Sequence, residues 1–193
     1  MQPRLKRIPH PTQPVSYFND RILYESEPEL KPAIDFDEIK LRQRFMESGF
    51  NDNLTSPAGA TGRYQIMPIT SREYTQLTGK TGDLNNPEYN EQVRDYYMEK
   101  RLPQFKVVSE GNPTDSVRMA KTLAAYNWGP DNLNKHITNL KRRGIDVENS
   151  MDWIDTLPTE PRNYVNFILR GQDVNKYKNN SEYQKALEKY GLK

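Results

Sequence analysis

The chain has no cysteine and only two histidines, His10 and His136, in 193 residues. Disulfides, thiolate nucleophiles and cysteine-type zinc sites are excluded together, and a histidine metal cage needs more imidazoles than the sequence holds. Neither a metal nor a cofactor is expected. Long apolar runs are also missing, since no stretch approaches the roughly 20 residues of a bilayer-spanning helix. Nor does one sign of charge dominate: 28 Lys and Arg meet 26 Asp and Glu, for a formal charge of +2. No basic stripe interleaves with aromatics, so capture of nucleic acid is not expected. The basic start, Met1 to Arg7, runs into prolines and charges where a secretion signal places its apolar segment, so no signal peptide is read there. A target outside the cytoplasm would then need another route of delivery.

Glycine is absent from residues 1–33, which instead hold six of the fourteen prolines. Pro9, Pro11 and Pro14 fix φ and remove backbone donors, so this segment reads as an extended arm that either is an unstructured leader or docks to the domain or a partner. Residues 34–171 read as one catalytic-sized domain, and 172–193 as a polar tail with a short helix. Apolar residues are only 34% of the chain, which implies a modest core under a charged surface.

From Asp35 the spacing becomes helical. Asp35 or Asp37 can cap, Ile39, Phe45 and Met46 recur near one face, and Gly49 supplies a stop, which puts Glu47 in the last turn. Residues 51–69, with Ser56-Pro57, Gly59 and Gly62, lack an apolar period and read as a long ordered loop or short hairpin. Further helices are expected around Ser71–Leu77, from Asn86-Pro87 to about Leu102, from Thr114 or Asp115 to Trp128, and from there to Gly144. A short one is read at Ser150–Leu157 and a longer one from Thr159 to Gly171. Ser181 and Gln184 form a capping-box pattern ahead of Tyr183, Leu187 and Tyr190. The fold class is mainly α.

Four blocks carry chemistry in order: Glu47-Ser48-Gly49-Phe50-Asn51, then Ser56 through Gly62-Arg63-Tyr64-Gln65-Ile66-Met67-Pro68, then Ala125-Tyr126-Asn127-Trp128-Gly129-Pro130, and finally Leu157-Pro158 through Tyr164-Val165. On these blocks residues 35–171 resemble the soluble lytic transglycosylase family, whose catalytic domains have a lysozyme-like fold related to goose-type lysozyme. The resemblance implies cleavage of the β-1,4 bond between N-acetylmuramic acid and N-acetylglucosamine in peptidoglycan, leaving 1,6-anhydro ends. Glu47 would protonate the leaving oxygen and then take the C6 hydroxyl proton, while the substrate's own acetamido group stabilises the anomeric carbon. Ser56, Gln65 and Asn127 match the family's polar positions. Tyr164 matches a late tyrosine able to orient the acid or the acetamido group. Tyr126 either packs beneath Asn127 or lines the site. Gly62 either admits backbone to a sugar or makes a turn, and Met67 serves as core or as contact.

A glycosidic oxygen is a poor leaving group, so a carboxyl serves it near neutral pH only if its surroundings keep it protonated. Raising a glutamate from about 4.3 by about 1.5 to 2 requires roughly 2 to 3 kcal/mol of preference for the neutral form. Desolvation by Met46, Phe50 and Met67 is expected to be the larger contribution, with the negative end of the helix dipole adding to it. Asp52 is the nearest second acid in sequence and is read as a turn residue.

Two departures from the family pattern stand out. Arg63-Tyr64 replaces its Leu-Met pair, a form similar to phage-encoded members, and Pro161 stands where threonine is usual. Arg63 is expected to face solvent or to meet a lactyl carboxylate or stem peptide; Tyr64 is placed with the substrate contacts. With the proline-rich arm, the Tyr64 form suggests a virion-associated enzyme of genome delivery whose residues 1–33 meet other virion or secretion-machine proteins. A hydrolytic muramidase using the same Glu47 and a noncatalytic structural virion protein are the alternatives.

Overall fold

The computed structural model describes residues 35–177 and 179–189, all within one compact unit; the proline-rich arm and Tyr190 lie outside them. Helix α1 (Phe36–Ser48) starts where Asp35 accepts from the backbone N–H groups of Asp37 and Glu38 at 3.0 and 3.1 Å. It stops at Gly49, whose φ of 57° suits a residue without Cβ and whose N–H closes on the Phe45 carbonyl. These two signals leave Glu47 one residue from the helix end.

Residues 51–67 form a loop fastened by isolated antiparallel bridges, Thr55 to Thr61 and Thr61 to Ile66, in place of a sustained hairpin. Helix α2 (Pro68–Thr78) begins three residues ahead of the expected Ser71, because proline fits a first helical position whose N–H would have no partner anyway. Helix α3 (Pro87–Tyr96) is capped by Asn86, whose side chain accepts from the Tyr89 N–H at 2.9 Å. The rod continues as a π turn, Tyr97–Arg101, and a 3-10 turn, Leu102–Gln104. What reads in sequence as one helix to Leu102 therefore holds three hydrogen-bond registers.

Helix α4 (Lys106–Ser109) is a single turn with no signal in the sequence reading. Helices α5 (Asp115–Trp128) and α6 (Pro130–Arg142) follow, the first capped by Thr114. The expected short helix at Ser150–Leu157 is a 3-10 turn, Asp152–Thr156, and α7 (Thr159–Arg170) ends at Gly171 as read. Helix α8 (Ser181–Lys189) departs from the expected capping box. Asn180, one residue earlier than Ser181, accepts from the Tyr183 N–H at 2.9 Å and sets the start.

Helix α5 is central, with Val117, Ala120, Leu123 and Ala124 fully buried. Its small alanines let neighbours approach closely, and Leu133, Ile137 and Leu140 of α6 and Val165 and Ile168 of α7 close over it. Each buried branched side chain of this kind contributes about 1.5–3 kcal/mol. A second, smaller cluster of Tyr64, Ile66, Tyr74, Tyr89 and Val93 lies under the loop, and Tyr126 packs against both clusters. At the far end of α1, Phe45 meets Tyr177 and Tyr183 with ring centroids 4.7 and 5.0 Å apart, so the C-terminal segment braces the helix that carries Glu47.

Candidate active site

The loop after α1 has few apolar residues of its own, and one buried side chain holds it. Asn90 of α3, fully buried, accepts from the Tyr64 N–H at 3.0 Å and donates to the carbonyls of Thr61 and Leu84 at 2.8 and 2.9 Å. Gly62, at φ 80°, passes so close to that amide that a Cβ would collide with the Asn90 side chain and lie 2.5 Å from the Leu84 carbonyl. The close approach that Gly62 permits is thus to the protein's own interior. Gly62→Ala is expected to cost about 2–4 kcal/mol, from the left-handed backbone and the overpacking together. Urea unfolding at matched slope measures it.

Charge fastens the outer side of the same loop. Arg63 donates to both Asp52 oxygens, at 3.1 and 2.8 Å, and to Glu91 at 2.9 Å, while Arg44 reaches Asp52 at 2.9 Å. Arg63 is therefore not the solvent-facing or ligand-seeking cation that its sequence position suggested. Asp52 is a loop anchor. Burial pushes its pKa up, but the hydrogen bond from Arg63 and the charges of Arg44 and Arg63 outweigh that and hold it below the ordinary value.

Glu47 is partly exposed at its edge, yet protein crowds its carboxyl, and burial raises the pKa to about 7. The nearby charge of Glu160 raises it further, against a hydrogen bond from Tyr164 that favours the anion. Desolvation leads, as the sequence argument required. Its contributors differ, for Met67 is 38% exposed while Met46 and Phe50 pack against the core. Folded Glu47 keeps its proton from about 4.5 to about 7 while the unfolded chain loses it, so this site's contribution to stability falls as pH rises through that window.

The Tyr164 hydroxyl donates to Glu47 Oε1 at 2.5 Å and accepts from Gln43 Nε2 at 3.1 Å. Gln43 lies one turn before Glu47 on the same face of α1, and its carbonyl oxygen accepts from Arg94 Nε and Nη2 at 2.8 and 2.5 Å. Neither residue figured in the sequence reading. A glutamine and an arginine inside amphipathic helices read as surface, and only the tertiary fold shows them buried.

The remaining expected site residues divide into two groups. The Tyr64 ring is buried beneath the Arg94 guanidinium, 5.5 Å from its centroid, so its phenol serves the core, while its carbonyl accepts from the Tyr126 hydroxyl at 2.8 Å. Tyr126 thereby ties the third block to the second. Burial and the Glu47 charge raise the pKa values of Tyr126 and Tyr164 well above the usual phenol value, so both stay protonated. Gln65, at φ 47°, spends its amide N–H groups on the Leu54 and Gly62 carbonyls, each at 2.9 Å, and Ser56 accepts from the Ala60 N–H at 3.0 Å. Asn127 is half-exposed in the last turn of α5, and Met67 stands at the head of α2. Among the described residues no cluster of His, Asp and Glu is arranged to hold a metal.

The described residues form a helical body that carries a crowded glutamate at the end of α1, with a tyrosine hydroxyl on the carboxyl, in keeping with a lysozyme-like domain. Residues 41–149, more than half of the chain, match the family described as transglycosylase SLT domain, and the chain belongs to that family. Membrane-bound lytic murein transglycosylase D of Escherichia coli K12 is 30% identical over 138 residues, covering 72% of this chain and 27% of that protein. The soluble lytic murein transglycosylase of the same strain is 30% identical over 129 residues, covering 64% of this chain and 18% of its own length. The crystal structure of the 70 kDa soluble lytic transglycosylase from Escherichia coli superposes with a TM-score of 0.54 at 27% identity, over 70% of this chain and 21% of that one. The chain thus spans about a quarter or less of the proteins it matches. The family match ends before Leu157, so the late block rests on the Tyr164 to Glu47 contact.

Proposed function

We propose that this chain is a peptidoglycan lytic transglycosylase in which Glu47 is the acid and then the base. The observation that carries the reading is the crowded Glu47 carboxyl at the end of α1 with the Tyr164 hydroxyl on its Oε1; burial raises its pKa to about 7, so it can hold a proton and give it up near neutrality. Its proton goes to the glycosidic oxygen as the bond from the N-acetylmuramic acid anomeric carbon breaks. The sugar's acetamido oxygen then bonds to that carbon. The C6 hydroxyl displaces it, its proton passes to Glu47, and a 1,6-anhydro end results with no water consumed. The Gln65 amide oxygen and the Asn127 amide serve sugar polar groups, with Ser56 on the loop that carries Gln65. Asp52 cannot act as a second, nucleophilic carboxylate while two guanidiniums hold it.

Hydrolysis is the second reading, and Glu160 is what favours it. This exposed acid on the first turn of α7 is near enough for its charge to act on Glu47, as a base steering water would need to be. Mass spectrometry of digested peptidoglycan separates the two, since reducing ends in place of anhydro ends would end the transglycosylase assignment. On the transglycosylase reading Glu160→Gln keeps the anhydro product. Because Glu160 raises the Glu47 pKa, its removal shifts the alkaline limb of kcat/KM to lower pH, by less than about one unit given its exposure.

The biological setting proposed is a virion-associated enzyme that opens the wall during genome delivery, with residues 1–33 as its contact to other virion or secretion-machine proteins. The Tyr64 form and the proline-rich arm support it. Detection of the chain in purified virions tests it, and its absence from them would redirect the assignment to a bacterial secretion system.

A further inference from the structure

Gln43 and Arg94 are fully and almost fully buried, at 0% and 6% exposure. A leucine would fill either position with no desolvation cost, so packing alone does not account for them. Their chemistry does. Arginine has donors and no acceptor, so the Gln43 amide must turn its oxygen to the guanidinium, where it accepts two hydrogen bonds. Inverting the amide would set N–H against N–H in a buried place. Gln43 Nε2 is thereby committed to donate to the Tyr164 oxygen at 3.1 Å. A phenol has one proton, and with Gln43 donating to its oxygen that proton is free to go to Glu47 Oε1 at 2.5 Å.

We propose that Gln43 and Arg94 are positioning residues: the donor-only guanidinium sets the direction of the chain Arg94 to Gln43 to Tyr164 to Glu47, and so reserves Glu47 Oε2 for the catalytic proton. The inference rests on Glu47 being the acid. Because Oε1 accepts from Tyr164 in both protonation states, the exchangeable proton resides on Oε2 alone. The guanidinium is itself fixed, since Arg94 Nη1 donates to Asp95 at 2.9 Å and Lys40 holds the other Asp95 oxygen at 2.8 Å and Glu91 at 2.5 Å. Around the acid, α7 presents Tyr164 and Glu160 and α5 presents Tyr126, while Arg94 of α3 acts through Gln43.

Gln43→Glu tests the direction. A carboxylate at this position keeps Arg94 satisfied with one oxygen and draws the Tyr164 proton to the other, so Glu47 loses the hydrogen bond that favours its anion and faces a new negative charge. Expected are an unchanged far-UV spectrum, a kcat lower by about 10- to 100-fold, the scale of one charge-assisted hydrogen bond, and a KM within about threefold. The alkaline limb of kcat/KM moves to higher pH, which a merely structural role would not produce. The double variant Gln43→Leu with Arg94→Leu removes the relay without leaving a buried charge, and is expected to fold and to lose kcat at least tenfold. Wild-type kcat and an unmoved limb in the folded variants overturn the relay, as does activity that only tracks the folded fraction. Glu47→Gln is assayed in parallel on the same glycan strands. If it still cleaves, the acid assignment itself is lost; if it is inactive while the Gln43 variants match wild type, only the relay is.

Discussion

Replacing Glu47 by glutamine is expected to lower glycan cleavage by about 10²–10⁴-fold, the range for losing a general acid and base, while making the folded protein more stable at alkaline pH. The amide keeps the Tyr164 hydrogen bond through its oxygen, so fold and glycan binding persist. The gain in stability follows from the raised pKa. The wild-type carboxyl must ionise in a crowded site as pH rises through about 7, whereas in the unfolded chain it ionises near 4.5. That difference corresponds to about 3 kcal/mol. Glutamine carries no such loss, so the margin between variant and wild type grows from pH 4.5 to pH 8. Thermal melts at those two pH values, beside turnover on purified peptidoglycan, measure both halves. A variant with undiminished turnover would falsify the role of Glu47, and a pH-independent margin would show that its carboxyl is not held protonated.

Asn90→Ala is expected to be the most damaging change away from the acid. It leaves the Tyr64 N–H and the Leu84 carbonyl without the Asn90 amide and the Thr61 carbonyl with the Ile66 N–H alone, and an unsatisfied buried polar group costs about 1–3 kcal/mol. The sum over the first two groups, about 2–6 kcal/mol, is a large part of the stability of a domain this size. Because the loop between α1 and α2 carries Gln65, turnover should fall even in the fraction that stays folded. Asn90→Asp separates the effects, since it can still accept from Tyr64 but cannot donate to either carbonyl. Chemical denaturation that places Asn90→Ala within about 1 kcal/mol of wild type would mean that the loop is held by other contacts.

Much of this fold is legible in the sequence because its signals are local. Asp35, Asn86 and Thr114 cap, Gly49 and Gly171 stop, and 3.6-residue spacing marks α5, α6 and α7, each decided within one or two turns of chain. The glutamate proposed as the acid was legible because four short blocks occur in family order. Asn90, Gln43 and Arg94 were not legible, because what makes them matter is a partner 26 to 121 residues away. A polar residue on a helix reads as solvated until the fold supplies its neighbour. Arg63 and Tyr64 misled for a related reason. Each fills the space between α1 and α3, where a charge paired twice and a phenol beneath a guanidinium substitute for apolar packing.

The paired charges of that region also have an evolutionary consequence. Arg44 and Arg63 share Asp52, Arg63 and Lys40 share Glu91, and Lys40 and Arg94 share Asp95. Substituting any one of them takes a counterpart from at least one half-buried charge in this chain of pairs, so single steps are disfavoured while compensated pairs are tolerated. Descendants of this chain should therefore change these positions together, and the covariation should trace a line across α1, the loop and α3 that ends at the glutamine behind the acid.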